Sequence, residues 1–497
     1  MALGIIIGLT YTPVMIRLLG KSEYGLYNTV TSTISMLSIL SLGFNSSYVR
    51  YYARYRKDRD ENKIWSLNGL FLIIFTVIGA VALACGLFLT NHLDLVFDKG
   101  LTPEEYSLAR ILMLLLTINL SLSFPMSVFS TIISANERFV FLKLIGMIKS
   151  VLSPLVSLPL LLMGFRSVGL VVIILILHVV NDFICIYYVI IKLHNKFAFS
   201  RTEPGLLGDL FGFTVFLAIN IIVDQINTNV DRVLLGRYQG TGAVAVYAVG
   251  ASLFGHYQHL STAISGVFTP RIHRIYNEEP EEDSRNTVLS RLFVRVGRIQ
   301  FLLLALVASG MLFFGRKFIT LWAGSEYGTE SYYVALLLIL PATIPLIQNL
   351  GIEIQRAANK HRFRSIAYLI MAFANIIMTI FLCQLYGAVG AAIGTAISYI
   401  LVNGIVMNLY YFKKLHINIP LFWKNIMRIV IRLLPAFAVG TVIWRFVEYS
   451  SVPTMLLLIL AYTVVYLVCA LTLAMNQEER NLVLSPLKRI KARIEKK

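Results

Sequence analysis

Apolar runs near 20 residues long recur along the whole chain, separated by short charged breaks. A helix needs about 20 apolar residues to cross roughly 30 Å of hydrocarbon, so each run predicts one membrane-spanning helix. About fourteen spans follow, near 2–19, 26–48, 66–90, 108–134, 143–164, 168–191, 209–229, 241–269, 297–321, 332–354, 365–385, 388–412, 429–447 and 454–475. The narrowest breaks lie at Tyr386–Gly387 and Gly164–Ser167, where almost no loop separates two spans. The longest polar stretch, 271–296, contains EEPEED and reads as a flexible link. Barrel strands would be shorter and alternate in polarity. The expected class is therefore an all-α polytopic membrane protein.

Composition agrees. Charged residues make up 14% and apolar residues 57% of the chain, and mean hydropathy is +0.74. A soluble domain carries about 25% charged residues, so this chain has too little polar material to cover a globular surface. The net charge of +18 does not point to nucleic acid, because the basic residues are dispersed in short segments between apolar runs. Segments that follow even-numbered spans hold 33 of the 44 Lys and Arg, Lys149 lies within a span, and the remaining 10 fall on the other side. Such alternation is what the positive-inside rule produces, and it assigns both termini to the cytoplasm. A miscount by one span would invert the alternation beyond that point, and no inversion occurs. Cys85, Cys185, Cys383 and Cys469 each sit in an apolar stretch without a CxxC pair, which suggests packing cysteines rather than a metal site or disulfide frame. The start, ALGIIIGLTYTP after Met1, lacks the basic n-region and cleavage site of a signal peptide. Its first apolar run is short, so either span 1 is brief or the true start lies upstream.

The chain also repeats itself. Residues 17–27 read RLLGKSEYGLY and residues 232–247 read RVLLGRYQGTGAVAVY. Tyr27 precedes Arg50 and Arg54 by 23 and 27 residues, and Tyr247 precedes Arg271 and Arg274 by 24 and 27. Six spans separate the two echoes, so the halves share one orientation, as in a parallel repeat about an axis normal to the membrane. The expected organisation is an N-lobe at 1–200 (spans 1–6), a C-lobe at 201–414 (spans 7–12), an extra helix pair at 415–476 and a basic cytoplasmic tail at 477–497.

The strings IRLLGKSEYGLYN, LGFNSSYVRYYARYR, NVDRVLLGRYQGTGAVAVYAVGASL and TPRIHRIYNE resemble the polysaccharide flippases, often called Wzx-type, of the multidrug/oligosaccharidyl-lipid/polysaccharide exporter superfamily. The likeness runs from span 1 through span 12. It implies two parallel six-helix lobes around a central cavity, plus two C-terminal helices, working by alternating access in the bacterial cytoplasmic membrane. It implies no enzyme chemistry and no cofactor, and the chain has no GxxxxGK[ST] phosphate loop. The implied cargo is an undecaprenyl-pyrophosphate-linked oligosaccharide for O-antigen, capsule or exopolysaccharide assembly. Membrane lipids, a polysaccharide polymerase and a chain-length regulator are the further expected partners of a monomer that binds no nucleic acid.

A cavity accepting a pyrophosphate needs cationic side chains, and sugar hydroxyls need amides, hydroxyls and aromatic faces. Arg17 ends span 1, Arg50 and Arg54 end span 2, and Arg271 and Arg274 end span 8. In the related lipid II flippase branch, arginines on spans 1, 2 and 8 bind pyrophosphate, and the resemblance gives Arg17, Arg50 and Arg271 those roles. Anchoring of helix ends at the cytoplasmic surface is the alternative for the span 2 and span 8 arginines. Lys149 lies deep in span 5, and Asp182, Asp224 and Glu353 are acids within spans 6, 7 and 10. A charge at such depth normally faces a cavity or a partner. Lys149 is a candidate for binding the pyrophosphate or sugar, and Asp182, Asp224 and Glu353 are candidates for ion coupling or counter-charge, with structural pairing as the alternative for all four; Asp231–Arg232 is expected to be a structural ion pair. His256 and His259 form an HxxH face better suited to cavity lining than to metal. Asn45, Ser46 and Ser47, with Asn220, Asn227 and Asn229, could bond sugar hydroxyls or neighbouring helices. The tail LKRIKARIEKK is expected to lie on the anionic inner leaflet. Two rival readings remain: an ion-coupled multidrug antiporter of the same superfamily, and a non-transporting scaffold of a glycan-assembly complex.

Overall fold

The structure is a computed structural model that describes residues 2–98, 101–199, 205–279, 281–360, 362–446, 451–482 and 485. Arg201 and the LKRIKARIEKK tail lie outside the described residues. All regular structure among the described residues is helical. The helices are α1 (Ala2–Leu19), α2 (Lys21–Met36), α3 (Phe44–Lys57), α4 (Glu61–Asn91), α5 (Pro103–Ala135), α6 (Phe139–Leu162), α7 (Arg166–Tyr187), α8 (Leu206–Gln225), α9 (Asp231–Gln239), α10 (Thr241–Glu278), α11 (Glu282–Trp322), α12 (Glu330–Ile347), α13 (Leu350–Ala357), α14 (Arg362–Tyr399), α15 (Asn408–Leu415), α16 (Ile419–Phe446) and α17 (Val452–Cys469). Wider π turns at Tyr188–Lys192, Ile226–Val230, Ile400–Met407 and Ala470–Ala474 extend α7, join α8 to α9, join α14 to α15, and extend α17.

Each expected span coincides with a helix or with a helix broken at one defined point. Nine described helical stretches are long and apolar enough to cross a membrane individually. One of them, Arg362–Leu415, holds two spans, because Gly387 leaves the helical region with φ 56° and ψ −135°. A Cβ on Gly390 would lie 1.9 Å from the carbonyl oxygen of Leu382, and one on Gly394 would lie 3.1 Å from Thr379 Oγ1. Contacts that straddle Gly387 in this way define a hairpin, so the near-absent loop at Tyr386–Gly387 is a true reversal. Gly164, with φ 90°, makes the other short break between α6 and α7. Exposed Leu155, Leu162, Phe183, Ile370 and Leu457 give these helices apolar outer faces, as lipid requires. The protein is a multi-pass helical membrane protein.

The chain forms two compact units, residues 1–248 with 365–394, and residues 249–364 with 395–497. In the first unit, α1 and the α2–α3 segment turn through 115° at Gly20, where φ is 78° and ψ 170°. Gly240, between α9 and α10, has φ 86° and ψ 178°. Only glycine occupies this region freely. The two turns are 220 residues apart, the same offset as Tyr27 to Tyr247, so the repeat is carried by conformation as well as by letters. The turns also meet. A Cβ on Gly25 would lie 1.8 Å from Thr241 O, and one on Gly236 would lie 2.5 Å from Thr29 Cγ2. Glu105, held by the Thr102 capping box that starts α5, accepts hydrogen bonds from Ser22 Oγ and from Thr241 Oγ1 at 3.3 Å.

The polar stretch 271–296 is not a link. Helix α10 continues to Glu278 and α11 begins at Glu282. Leu289, Leu292, Phe293 and Val296 are buried at the i, i+3, i+4, i+7 spacing of one helical face. That apolar face fixes the helix, and the charges occupy the other side.

The hairpin at Gly387 gives a direct test. Gly390→Ala is expected to lower the thermal unfolding temperature of the detergent-solubilised protein by several degrees, because backbone lies where the methyl would go. Gly4→Ala, in open space, should leave it unchanged; equal behaviour of the two variants would contradict the hairpin.

Candidate functional site

Helix α3 is built as a cationic rail. Phe44, Tyr48, Tyr52 and Tyr55 line its buried face, while Arg50, Arg54 and Lys57 lie at i, i+4, i+7 on the exposed face. The aromatic side is locked: Tyr48 packs edge-on against Phe71 at 5.1 Å and its hydroxyl donates to Asn68 Oδ1 at 2.6 Å. Tyr52 likewise donates to Asn136 Oδ1 at 2.7 Å. The rail follows a break in span 2, where Leu42 and Gly43 take left-handed conformations with φ of 47° and 79°. Leu42 terminates a 3₁₀ turn, and a Cβ on Gly43 would press on Leu217 Cβ of α8 at 2.8 Å. Broken spans of this kind supply binding groups in transporters. Just after the break, Asn45 accepts a hydrogen bond from Thr131 at 3.1 Å, and Ser47 is buried. Arg17, exposed in the last turn of α1, belongs to the same unit.

Lys149 of α6 lies within electrostatic reach of Asp182 and His178 on α7. His178 and Asp182 are four residues apart and share a face. Asp182 also accepts from the Asn181 amide at 3.4 Å. This brings Lys149 and Asp182 into one intramembrane charged cluster and adds His178, which the chain's HxxxD spacing could have flagged.

The other acids are placed differently. Asp224 is exposed on α8, one residue before the helix gives way to its π turn. Asp231 is buried and accepts from Tyr247 Oη at 2.5 Å and Thr379 Oγ1 at 3.2 Å, so it fastens the repeat tyrosine. Glu353 pairs with Arg356 at 2.8 Å, three residues along α13. Asn220 accepts from Ser365 at 3.0 Å and Asn229 donates to Gln225 at 2.7 Å, both within the protein. Glu23 is buried and receives the Ser167 amide and hydroxyl at 2.8 and 2.6 Å, with Arg166 at 3.5 Å.

In the second unit, Arg274 makes an exposed ion pair with Glu278 at 4.0 Å, an arrangement that contributes little. His256 and His259 face each other electrostatically along α10, and Tyr257 between them is buried on Thr343 at 2.7 Å. Among the described residues no group of three or more His, Cys, Asp or Glu converges as a metal site would require. Arg271 lines a cavity of about 600 Å³ shared with α11 and α16. Arg298, at the floor of that cavity, is tied to Glu479 by two hydrogen bonds of 2.7 and 2.8 Å. The separation of 181 positions between these two partners hides the pair from any local reading.

Residues 2–276 match the family described as polysaccharide biosynthesis protein. The chain belongs to this family. It is 22% identical over 396 residues to a Shigella flexneri protein named for O-antigen transport, covering 78% of this chain and 89% of that one. As a polysaccharide biosynthesis protein it has the fold of the lipid II flippase MurJ in an inward closed conformation, with a TM-score of 0.73, 18% identity and 98% coverage of both chains. A Vibrio cholerae MATE transporter matches less fully, with a TM-score of 0.58, 16% identity and coverage of 84% and 95%. The resemblance to the polysaccharide branch of the exporter superfamily is thereby borne out.

Removing one partner of a buried ion pair costs about 3–5 kcal/mol, whereas replacing both with apolar groups is nearly neutral. Glu479→Ala is therefore expected to destabilise the solubilised family member by about that amount. Arg298→Met combined with Glu479→Leu should restore most of the loss. Chemical unfolding of the three proteins measures both effects; a Glu479→Ala protein as stable as wild type would contradict the assignment.

Proposed function

We propose that this protein is a flippase that carries an undecaprenyl-pyrophosphate-linked oligosaccharide from the cytoplasmic to the periplasmic leaflet, by alternating access, for O-antigen, capsule or exopolysaccharide assembly. The observation that carries the reading is the α3 rail, in which Arg50 and Arg54 stand exposed on an immobilised aromatic base. Guanidinium groups match phosphate oxygens bidentately, and a rigid mount removes much of the ordering cost of binding. A site for amphiphilic cations would call for acids instead, so the rail favours an anionic cargo over the drug-antiporter reading. In this proposal Arg17 and Arg271 also contact the diphosphate, Arg274 and Asn45 assist, and His256 and His259 line the sugar path. The expected lobes at 1–200 and 201–414, with the helix pair 415–476, remain the proposed moving parts, and both termini are taken as cytoplasmic.

The Lys149–His178–Asp182 cluster supports a coupling role. Lys149 has both Asp182 and His178 in its field, and charges at such depth normally serve a cavity or a partner, so we assign ion coupling to Asp182, with Asp224 and Glu353 as secondary candidates.

Each charge-assisted hydrogen bond to phosphate is worth about 1.5–3 kcal/mol, so losing both rail arginines should be severe. Arg50→Ala with Arg54→Ala is expected to cut transport at least tenfold in a chromosomal replacement, with lipid-linked glycan accumulating inside and expression unchanged. Dye resistance in a pump-deficient strain should not change. Loss of dye efflux without accumulation of lipid-linked glycan would overturn the proposal in favour of an antiporter. Normal glycan export by the charge-free variant would favour the scaffold.

A further inference from the structure

Two helices of the second unit turn arginine stripes toward one cavity. On α11, Arg291, Arg295 and Arg298 follow i, i+4, i+7; on α16, Asn425, Arg428 and Arg432 follow i, i+3, i+7. Such spacings keep side chains on one helical face. The helices are clamped together where Phe293 meets Phe422 at 4.9 Å, over Gly297, whose missing Cβ would lie 2.4 Å from the Phe422 ring. Arg271 of α10 completes the ring around about 600 Å³, within the range of ligand cavities.

The floor is already neutral. Arg298 is consumed by Glu479 and further tied to Ala474 O at 3.2 Å and Asn425 Oδ1 at 3.3 Å. Arg295 meets Glu478 at 3.4 Å, but both are substantially exposed, so the pair is weak. Six arginines thus face two carboxylates, leaving four positive charges in excess around one concavity. Like charges held this close by rigid helices repel one another, and an anion relieves that cost. Besides Asn476, the remaining walls are Ile275, Val288, Leu292, Val294 and Leu421, which offer hydrocarbon beside the guanidinium groups. A soluble anion has no use for such walls; a phosphate joined to a lipid chain does.

We propose that this pocket binds the phosphate-bearing headgroup of an anionic lipid, with the chain leaving along α16. The proposal rests only on the orientation taken above, which opens the pocket to the inner leaflet. No α3 residue lines it, whereas Arg271, which the proposed cargo site also uses, does; its ligand is the cargo headgroup or another anionic lipid.

The test uses the full chain, purified, with lipid retention read by native mass spectrometry against added dioleoyl-phosphatidylglycerol or dioleoyl-phosphatidylethanolamine. Wild type should retain the phosphatidylglycerol selectively. Each arginine near the surface contributes about 1 kcal/mol toward an anionic lipid, so Arg428→Gln with Arg432→Gln should weaken retention about thirtyfold. Arg291→Gln alone should weaken it about fivefold. Arg316→Gln with Lys317→Gln, an equal charge loss at the opposite end of α11, should retain lipid as wild type does. A thermal unfolding scan of each variant separates lost binding from lost fold, and Arg291→Gln keeps the test decisive if the α16 pair unfolds. Undecaprenyl diphosphate as competitor distinguishes the sources: displacement identifies the polyprenyl headgroup, and failure to displace identifies bulk phospholipid, each upholding the shared chemistry. Equal retention by the α16 pair and the control pair, or equal retention of the zwitterionic lipid, would overturn the proposal. Because retention is read without transport, a protein that holds the lipid but moves no glycan would count against the transport reading alone.

Discussion

The approach of two backbones at Gly25 and Thr241 sets the terms for the first unit. In hydrocarbon, helices gain nothing from hiding apolar surface, so close packing through small residues has to bring them together. Gly25 lets α2 lie against the start of α10, and Gly236 lets α9 lie against Thr29. Neither contact survives a side chain at the glycine. The turns that deliver these helices, Gly20 and Gly240, share a conformation that excludes other residues. Glu105 then ties Ser22 to Thr241 from α5. The repeat is therefore a packing device whose two copies grip each other, and not only a trace of duplication.

Polar groups sort into those buried in the structure and those exposed on it. Tyr48, Tyr52, Asn68, Asp231 and Glu23 are spent on internal partners, as buried polar groups must be. Arg298 is spent on Glu479. The exposed guanidinium groups of α3 and of the α11–α16 pocket are backed by these satisfied networks. An arginine on a stiff support loses little freedom on binding an anion, which is why the proposal rests on the two cationic features and not on the overall charge of +18.

Much of the fold was legible because membrane spans announce themselves by length and hydropathy, and because charge parity forbids a miscount. Even the loopless reversal at Tyr386–Gly387 could be read. The segment 271–296 could not, since its many charges masked the apolar period of Leu289, Leu292, Phe293 and Val296. The repeat was visible as letters, and Tyr27 with Tyr247 carried its register of 220 residues, but the string LLG did not. The string LLG pairs Gly20 with Gly236 and Arg17 with Arg232, whereas backbone conformation pairs Gly20 with Gly240 and Arg17 with Arg237. A positive φ leaves no mark in a string beyond the glycine itself. At the site, Lys149 and Asp182 stood out as charges inside apolar runs, yet their adjacency and the presence of His178 needed α6 and α7 to be packed. The α11–α16 pocket joins residues more than a hundred positions apart, and no local spacing reveals it.

The central claim, that an anionic lipid-linked sugar crosses the membrane on this protein, is tested most directly by reconstitution. Proteoliposomes loaded with a fluorescent undecaprenyl-diphosphate oligosaccharide would be challenged with a membrane-impermeant quencher, with and without an imposed proton or sodium gradient. The account predicts protein-dependent exposure of label from the inner leaflet, slowed by competing unlabelled lipid-linked sugar and unaffected by amphiphilic cations. Exposure no faster than in protein-free vesicles under every gradient, alongside gradient-driven uptake of a cationic dye, would contradict it.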